Sequence, residues 1–292
     1  MTISATNQGL RPGVCTSTNR PSTPFDGMLI YETDTDLVRI WNGSSWVTIG
    51  STPYATASGG TESNITANSV NYKLHTFNSS TNLTISVAGF IDVLLVGAGG
   101  MGGGIGVSQG GGGGGGDLFF AYRQFLPAGT YAVTIGAGNS SLGRQGGPTK
   151  FASAESGIVL FMAFGGATGS YGAGANAWGG SAGGGGVYGG AQPGGIVQWG
   201  YHGNTGGTAS GPNAGGGGGA GTAASGLTGG NGLDISAWLG QSANTTIRGG
   251  GGAGTSGTAG TGTGANNTGG GGNATSGTNA GWSGVAYVRS GR

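Results

Sequence analysis

Residues 90–116 read FIDVLLVGAGGMGGGIGVSQGGGGGGG. The stretch opens as a strand, with Ile91, Val93, Leu94, Leu95 and Val96 in one apolar run. A run of Val, Leu and Ile calls for a packed sheet. It then passes without a linker into glycine and ends in an unbroken row from Gly110 to Gly116. Those glycines offer a core no side chains, and each has the most backbone freedom to lose on folding. The same contrast recurs along the chain, with strand-like pieces towards its ends and glycine between them.

Composition narrows the class. Of 292 residues 77 are Gly, far above the usual share of about 7%. Collagen needs Gly at every third position and abundant Pro; here the spacing is irregular and there are 8 Pro. Disorder usually joins low hydrophobicity to high charge, whereas 7% of these residues are charged and the net charge is +1. Ordering glycine costs about 1–2 kcal/mol per residue, so something systematic must restrain these backbones. Polyproline II suits glycine: it has three residues per turn and no internal hydrogen bonds, leaving N–H and C=O free for neighbours. At a rise of about 3.1 Å per residue, Gly110–Gly116 spans roughly 22 Å. A polyproline-II bundle is the expectation for 97–116 and for most of 165–284.

Working outward from that stretch, Tyr72–Phe77 and Leu83–Val87 alternate apolar and polar positions as strands do. Asp117–Phe125, Tyr131–Ile135, Phe151, Ile158–Phe164 and Val285–Arg289 follow as further strands, and no helix of ordinary length is evident. The glycine segments therefore read as insertions between strands of one antiparallel domain, 71–292. Residues 51–70 are small and polar and read as a linker. Residues 11–27 carry three prolines and read as an extended arm. Met28–Glu32, Leu37–Trp41 and Trp46–Ile49 form a meander around a Thr-Asp-Thr-Asp turn and an Asn42-Gly43-Ser44 turn. Residues 1–50 make one module too small to bury its own apolar residues. Tyr31, Trp41, Trp46 and Ile49 are accordingly expected to serve docking or oligomerisation.

Two resemblances follow. YKLHTFNSSTNLTISVAGFIDVLLVGAGG, then LPAGTYAVTIGAG, then glycine tracts, then GWSGVAYVR together resemble the glycine-rich domain of bacteriophage tail proteins and some animal receptor ectodomains. The resemblance implies a jelly-roll-like sandwich carrying a polyproline-II bundle. RPGVCTSTNRPSTPFDGMLIYETDTDLVRIWNGSSWV resembles a short attachment or trimerisation module of phage structural proteins. Together they imply an all-β virion component made in the host cytoplasm: a homotrimeric tail fibre or tail-tip adhesin on the particle exterior, joined to other virion proteins through its N-terminal module. The alternative is a capsid fibre, decoration or connector without receptor binding. MTISATNQGL lacks a basic segment followed by an apolar one, so no signal peptide is expected, which disfavours the animal receptor.

Enzymatic chemistry finds little footing. No nucleophile–base pairing is readable, and no catalytic, cofactor or metal site is expected. One cysteine, Cys15, excludes an intrachain disulfide. His75 alternates with Leu74 and Phe77 and reads as a solvent-facing strand residue rather than a ligand. Gly229–Asp234 matches the start of a calcium-binding repeat, but Ser236 stands where a large apolar residue belongs. The acidic turn of Glu32, Asp34 and Asp36 reads as solvated. Matches to G-x-G-x-x-G carry no weight in a chain this rich in glycine.

Charge distribution also speaks to partners. From Ser156 to Val288 the formal charges are Asp234 and Arg248, so nucleic-acid binding is not expected. No run reaches the 18 or so apolar residues that span a bilayer. A nearly uncharged surface dotted with aromatics suits a neutral amphipathic target, such as a host glycan or protein. Trp178, Tyr188, Trp199, Tyr201 and Trp238 are the candidate receptor contacts; the competing reading makes them plugs between glycine segments and turns.

Overall fold

The computed structural model describes residues 12–49, 54–103, 110–139, 145–170, 179–187, 190–197, 200–274 and 280–291. Among them there is no helix, and the fold is all-β. The chain divides into two compact units, Met1–Pro53 and Tyr54–Arg292.

The first unit is a sheet of β1 (Gly13–Cys15), β2 (Leu29–Glu32), β3 (Leu37–Trp41) and β4 (Trp46–Thr48), in that order. The expected meander is present as β2–β4. Its second turn is held by the Asn42 side chain, whose Oδ1 accepts from the N–H groups of Ser44 and Ser45, with Gly43 at φ +93°. Asn and Gly form such turns because one bonds its own backbone and the other tolerates positive φ. The arm does more than extend: Gly13–Cys15 pairs in parallel with Ile30–Glu32 as a fourth strand. Glu32 draws it in, since this buried carboxylate receives Arg20 Nε from the arm at 2.5 Å.

The second unit holds β5 (Thr56–Ser58), β6 (Thr61–Ala67), β7 (Val70–Phe77), β8 (Thr81–Val87), β9 (Gly89–Val96), β10 (Leu118–Leu126), β11 (Gly129–Thr134), β12 (Thr149–Ser153), β13 (Val159–Ala163), β14 (Leu233–Asp234), β15 (Ile247–Arg248) and β16 (Val285–Ser290). Two five-stranded antiparallel sheets, β10-β9-β16-β7-β6 and β13-β12-β11-β8-β5, face each other. Phe77, Ile91, Val93, Leu95 and Val288 from one sheet and Leu83, Ile85, Val133 and Phe151 from the other form the shared core. Residues 56–58 and 61–67 are thus strands rather than linker, one in each sheet. Their small polar composition suits edge positions, where one side of the ladder meets water.

Strand β9 is buried on both faces, which is why its sequence runs apolar without alternation. Ile91, Val93 and Leu95 enter the sandwich core. Leu94 and Val96 enter a second cluster with Leu118, Ile235, Trp238, Leu239 and Tyr287, contributed partly by the glycine-rich region. Arg289 is held at this interface by several partners. Arg289 donates to Asp92 at 2.6 Å and to Trp238 O at 3.1 Å, between the Tyr72 and Trp238 rings at 4.4 and 4.3 Å.

The glycine segments leave from one end of the sandwich: after β9, β11 and β13 and before β10, β12 and β16. Residues 110–117 run through their centre, all buried. The donors there step through three neighbours with a period of three residues. Gly111, Gly114 and Asp117 donate to Ser170, Ala167 and Phe164; Gly112 and Gly115 to Gly215 and Gly218; Gly113 and Gly116 to Gly272 and Gly269. The carbonyls receive from three others: Gly103, Gly100 and Gly97 donate to Gly111, Gly114 and Asp117; Gly184 and Ser181 to Gly112 and Gly115; Gly252 to Gly113. The chain is therefore ringed by backbone alone, and its buried N–H and C=O groups are met without a sheet. Residues 135–139 and 145–148 also join the bundle, through bonds such as Ala98 N to Gly147 O and Gly284 N to Gly136 O. The sequence reading places the bundle only at 97–116 and 165–284 and gives these residues no part in it.

Candidate functional site

The turn Gly200–His202 lies against the start of β10, an edge strand. Asp117, buried just before β10, accepts through Oδ1 from the N–H groups of Tyr201 at 2.9 Å and His202 at 2.8 Å. The His202 ring, with Nδ1–H as donor, reaches Leu118 O at 2.8 Å. The turn thus caps a stretch of sheet edge that would otherwise expose unpaired backbone. Burial pushes the Asp117 carboxyl above its usual range, with the His202 and Tyr201 N–H groups opposing; its Oδ2 has no hydrogen-bond partner among the described residues. Gly200 takes φ +141° here, a conformation that favours glycine.

Above this anchor the Tyr201 side chain is 67% exposed. Its ring meets Phe119 edge-on at 4.9 Å; Phe119 stacks on Phe161 at 5.8 Å, and Phe161 leads to Phe151 in the core. The ring therefore has a fixed base and a free outer part, an arrangement that can hold an apolar or amphipathic group without first ordering the side chain. Ile196, also exposed, belongs to the same stretch of the bundle.

The other aromatic candidates fare differently. Trp238 is 7% exposed, its ring packed against Arg289 and Tyr287 in the second cluster. The expectation of an exposed turn fails because Trp238 and its sequence neighbours Ile235 and Leu239 are laid together on Leu94, Val96 and Tyr287, from strands distant in sequence. Trp178, Tyr188 and Trp199 lie outside the described residues. The phenol of Tyr287 accepts from Arg248 Nη2 at 2.9 Å.

His75 is not solvent-facing but wholly buried. Its Nδ1 lies 2.9 Å from Gly59 O and its Nε2 2.9 Å from Ser290 Oγ. Alternation misassigned it because β7 has Leu74 and Tyr72 covered on the opposite face as well. Burial lowers its pKa, with the Gly59 contact opposing. Asp234, in the calcium-like stretch, is taken up by the Ser236 N–H at 2.9 Å and the Asn244 N–H at 2.8 Å. The acidic turn is likewise divided: Glu32 faces Arg20, Asp34 accepts from Ser17, and Asp36 from the Tyr31 hydroxyl. The Arg20 hydrogen bond holds Glu32 below the usual carboxylate range.

The docking candidates of the first unit stand on both faces of its sheet. Trp41 and Trp46 pair edge-on at 5.6 Å across β3 and β4, on the face that carries Glu32 and Arg39. Tyr31 lies on the other, opposite Val38. Ile49 continues past β4, bonds Val38 O at 2.9 Å and is exposed.

Comparison with known proteins places both units. Residues 75–291 match the family model of a glycine-rich domain, and residues 1–68 match a phage tail like trimerisation region. Neither is an enzyme family. Together they support a phage tail-fibre-type protein with a glycine-rich domain and an N-terminal module, and the second supports a homotrimer. No curated protein matches the chain.

Proposed function

We propose that this chain, which belongs to the glycine-rich domain family, is a tail fibre or tail-tip protein that contacts the host surface. The N-terminal module joins three copies to each other and to the particle, and the bundle is carried on the particle's exterior. The observation that carries this reading is Tyr201: a large exposed ring, rigidly based on Phe119 and Asp117, at the surface of a nearly uncharged glycine bundle. Such a ring suits the apolar side of a sugar, or an equally neutral protein patch. Trp178, Tyr188 and Trp199, which lie outside the described residues, remain part of the proposed contact set; Trp238 does not.

The bundle itself is read as polyproline II on a jelly-roll-like sandwich. Support for the first comes from the three-residue period of its bonding partners, which matches three residues per turn. Two facing five-stranded antiparallel sheets support the second.

One ring stacked on a target contributes about 1 kcal/mol beyond burial. Three copies engaged together contribute roughly 3 kcal/mol, on the order of a hundredfold in avidity. Particles carrying Tyr201→Ala should therefore adsorb to host cells far more slowly while assembling normally. Unchanged adsorption would favour the second reading, a structural fibre or decoration. That reading has its own support, because the backbone of the same turn caps the β10 edge.

A further inference from the structure

The first unit has two unlike faces. Successive residues of a strand point to opposite sides, so the register sorts them. Ile30, Glu32, Arg39 and the Trp41–Trp46 pair share one face. Ile30 and Glu32 are buried there, and Arg20 of the chain's own arm lies on Glu32. The other face carries Val14, Tyr31 and Val38 in one row, extended by Ile49, and Leu29, Ile40 and Val47 in the next. None of its strand positions is charged; the Asp36 carboxylate, in the turn between β2 and β3, meets it at one end through the Tyr31 hydroxyl. Val14, Val38, Val47 and Ile49 are 47, 37, 38 and 44% exposed.

We infer that this uncharged face, and not the tryptophan face, is where three copies of the chain meet. The inference rests on the homotrimer reading and assigns its interface. A contiguous patch of branched aliphatic side chains is seldom left to water. With Asp36 already bonded to Tyr31 inside the chain and no charge at a strand position, the surface complements another copy of itself, and three sheets turned towards a threefold axis would close without leaving an apolar edge. The trimerisation match covers these strands. Trp41 and Trp46, by contrast, are already paired with each other, and their face is closed by an ion pair inside the chain.

The full chain tests the assignment through its mass in solution. Val38→Asp with Val47→Asp places two carboxylates on the uncharged face; Thr48→Asp places one on the other face, on the same strand as Val47. The wild type and Thr48→Asp should have the mass of a trimer, and the double variant that of a single chain. A double variant that stays trimeric overturns the face assignment alone. A monomeric wild type overturns the trimer reading and the assignment with it. A loss of mass through misfolding is separated by a second measurement, short bismaleimide cross-linking of Val47→Cys in a Cys15→Ser background. Covalent dimers are expected there, since each chain then carries one thiol and the reagent joins two; their absence, with cross-linking at Thr48→Cys instead, places the interface on the tryptophan face.

Discussion

Replacing Gly113 with alanine adds one methyl group to the middle of the bundle. That carbon would stand 2.2 Å from Gly100 O and 2.7 Å from Met101 O, where ordinary van der Waals contact begins at 3.4 Å. Both atoms are backbone, so no rotamer change relieves the clash, and the 97–103 segment must retreat by about an ångström. Gly100 sits in two buried bonds: its carbonyl receives Gly272 N at 2.9 Å, and its N–H reaches Gly114 O at 2.9 Å. Leaving such groups unpaired costs about 1–3 kcal/mol each, hence about 2–6 kcal/mol for the pair. The lower entropy of the unfolded alanine chain returns about 0.4–1 kcal/mol. A net loss of about 2–5 kcal/mol corresponds to a melting point lower by roughly 10 °C in a domain of this size. The reference is Asn266→Ala, at an exposed turn, expected within about 0.5 kcal/mol of the parent. Thermal melting of both variants beside the parent decides the matter. Equal midpoints for Gly113→Ala and Asn266→Ala would refute the backbone-packed bundle.

Trp238→Ala should destabilise the second unit by about 3–5 kcal/mol, because it opens a cavity beside Arg289; denaturant unfolding reads this. Stability should also fall as the pH drops below about 6.5. His75 has its pKa lowered by burial in the fold, so the unfolded chain binds the proton first and stability is lost down to the folded-state value. His75→Gln should remove that slope, and an unchanged acid limb would mean another group carries it. Asp117 has the opposite sign: its pKa is raised in the fold, so its contribution is full below the usual carboxyl range and is lost as the pH rises through the raised value. Asp117→Asn should flatten that loss in melts taken across the acidic range.

Much of the fold was legible because its local signals are strong. Runs of Val, Ile and Leu separated by turns located β7 to β13 and β16, and the Asn-Gly turn located β3 and β4. Strands β5 and β6 were missed because TAS and TESNITA have no apolar pattern; they are strands through pairing with β8 and β7. Strand β1 was missed for a similar reason, since its partner, β2, is reached only when the arm doubles back. The sequence offered Tyr31, Trp41, Trp46 and Ile49 as docking candidates, but which face each occupies depends on register.

By itself, the sequence determined that glycine tracts are insertions in an all-β domain, since residues without side chains cannot build a core and residues such as Leu94 and Val96 must. It also determined the near absence of charge along the bundle. Only the tertiary structure decided which aromatics are free. Trp238 and Tyr201 were both candidate contacts by sequence, yet one is closed under Arg289 and the other stands out above Phe119. Tertiary structure likewise decided that His75 is buried, because its cover comes from Gly59 and Ser290, at opposite ends of the domain. The physical reason is the same in each case. A strand's own alternation tells which residues share a face, but burial depends on what the rest of the chain lays over that face, and here most of the cover is glycine backbone, which has no pattern to read.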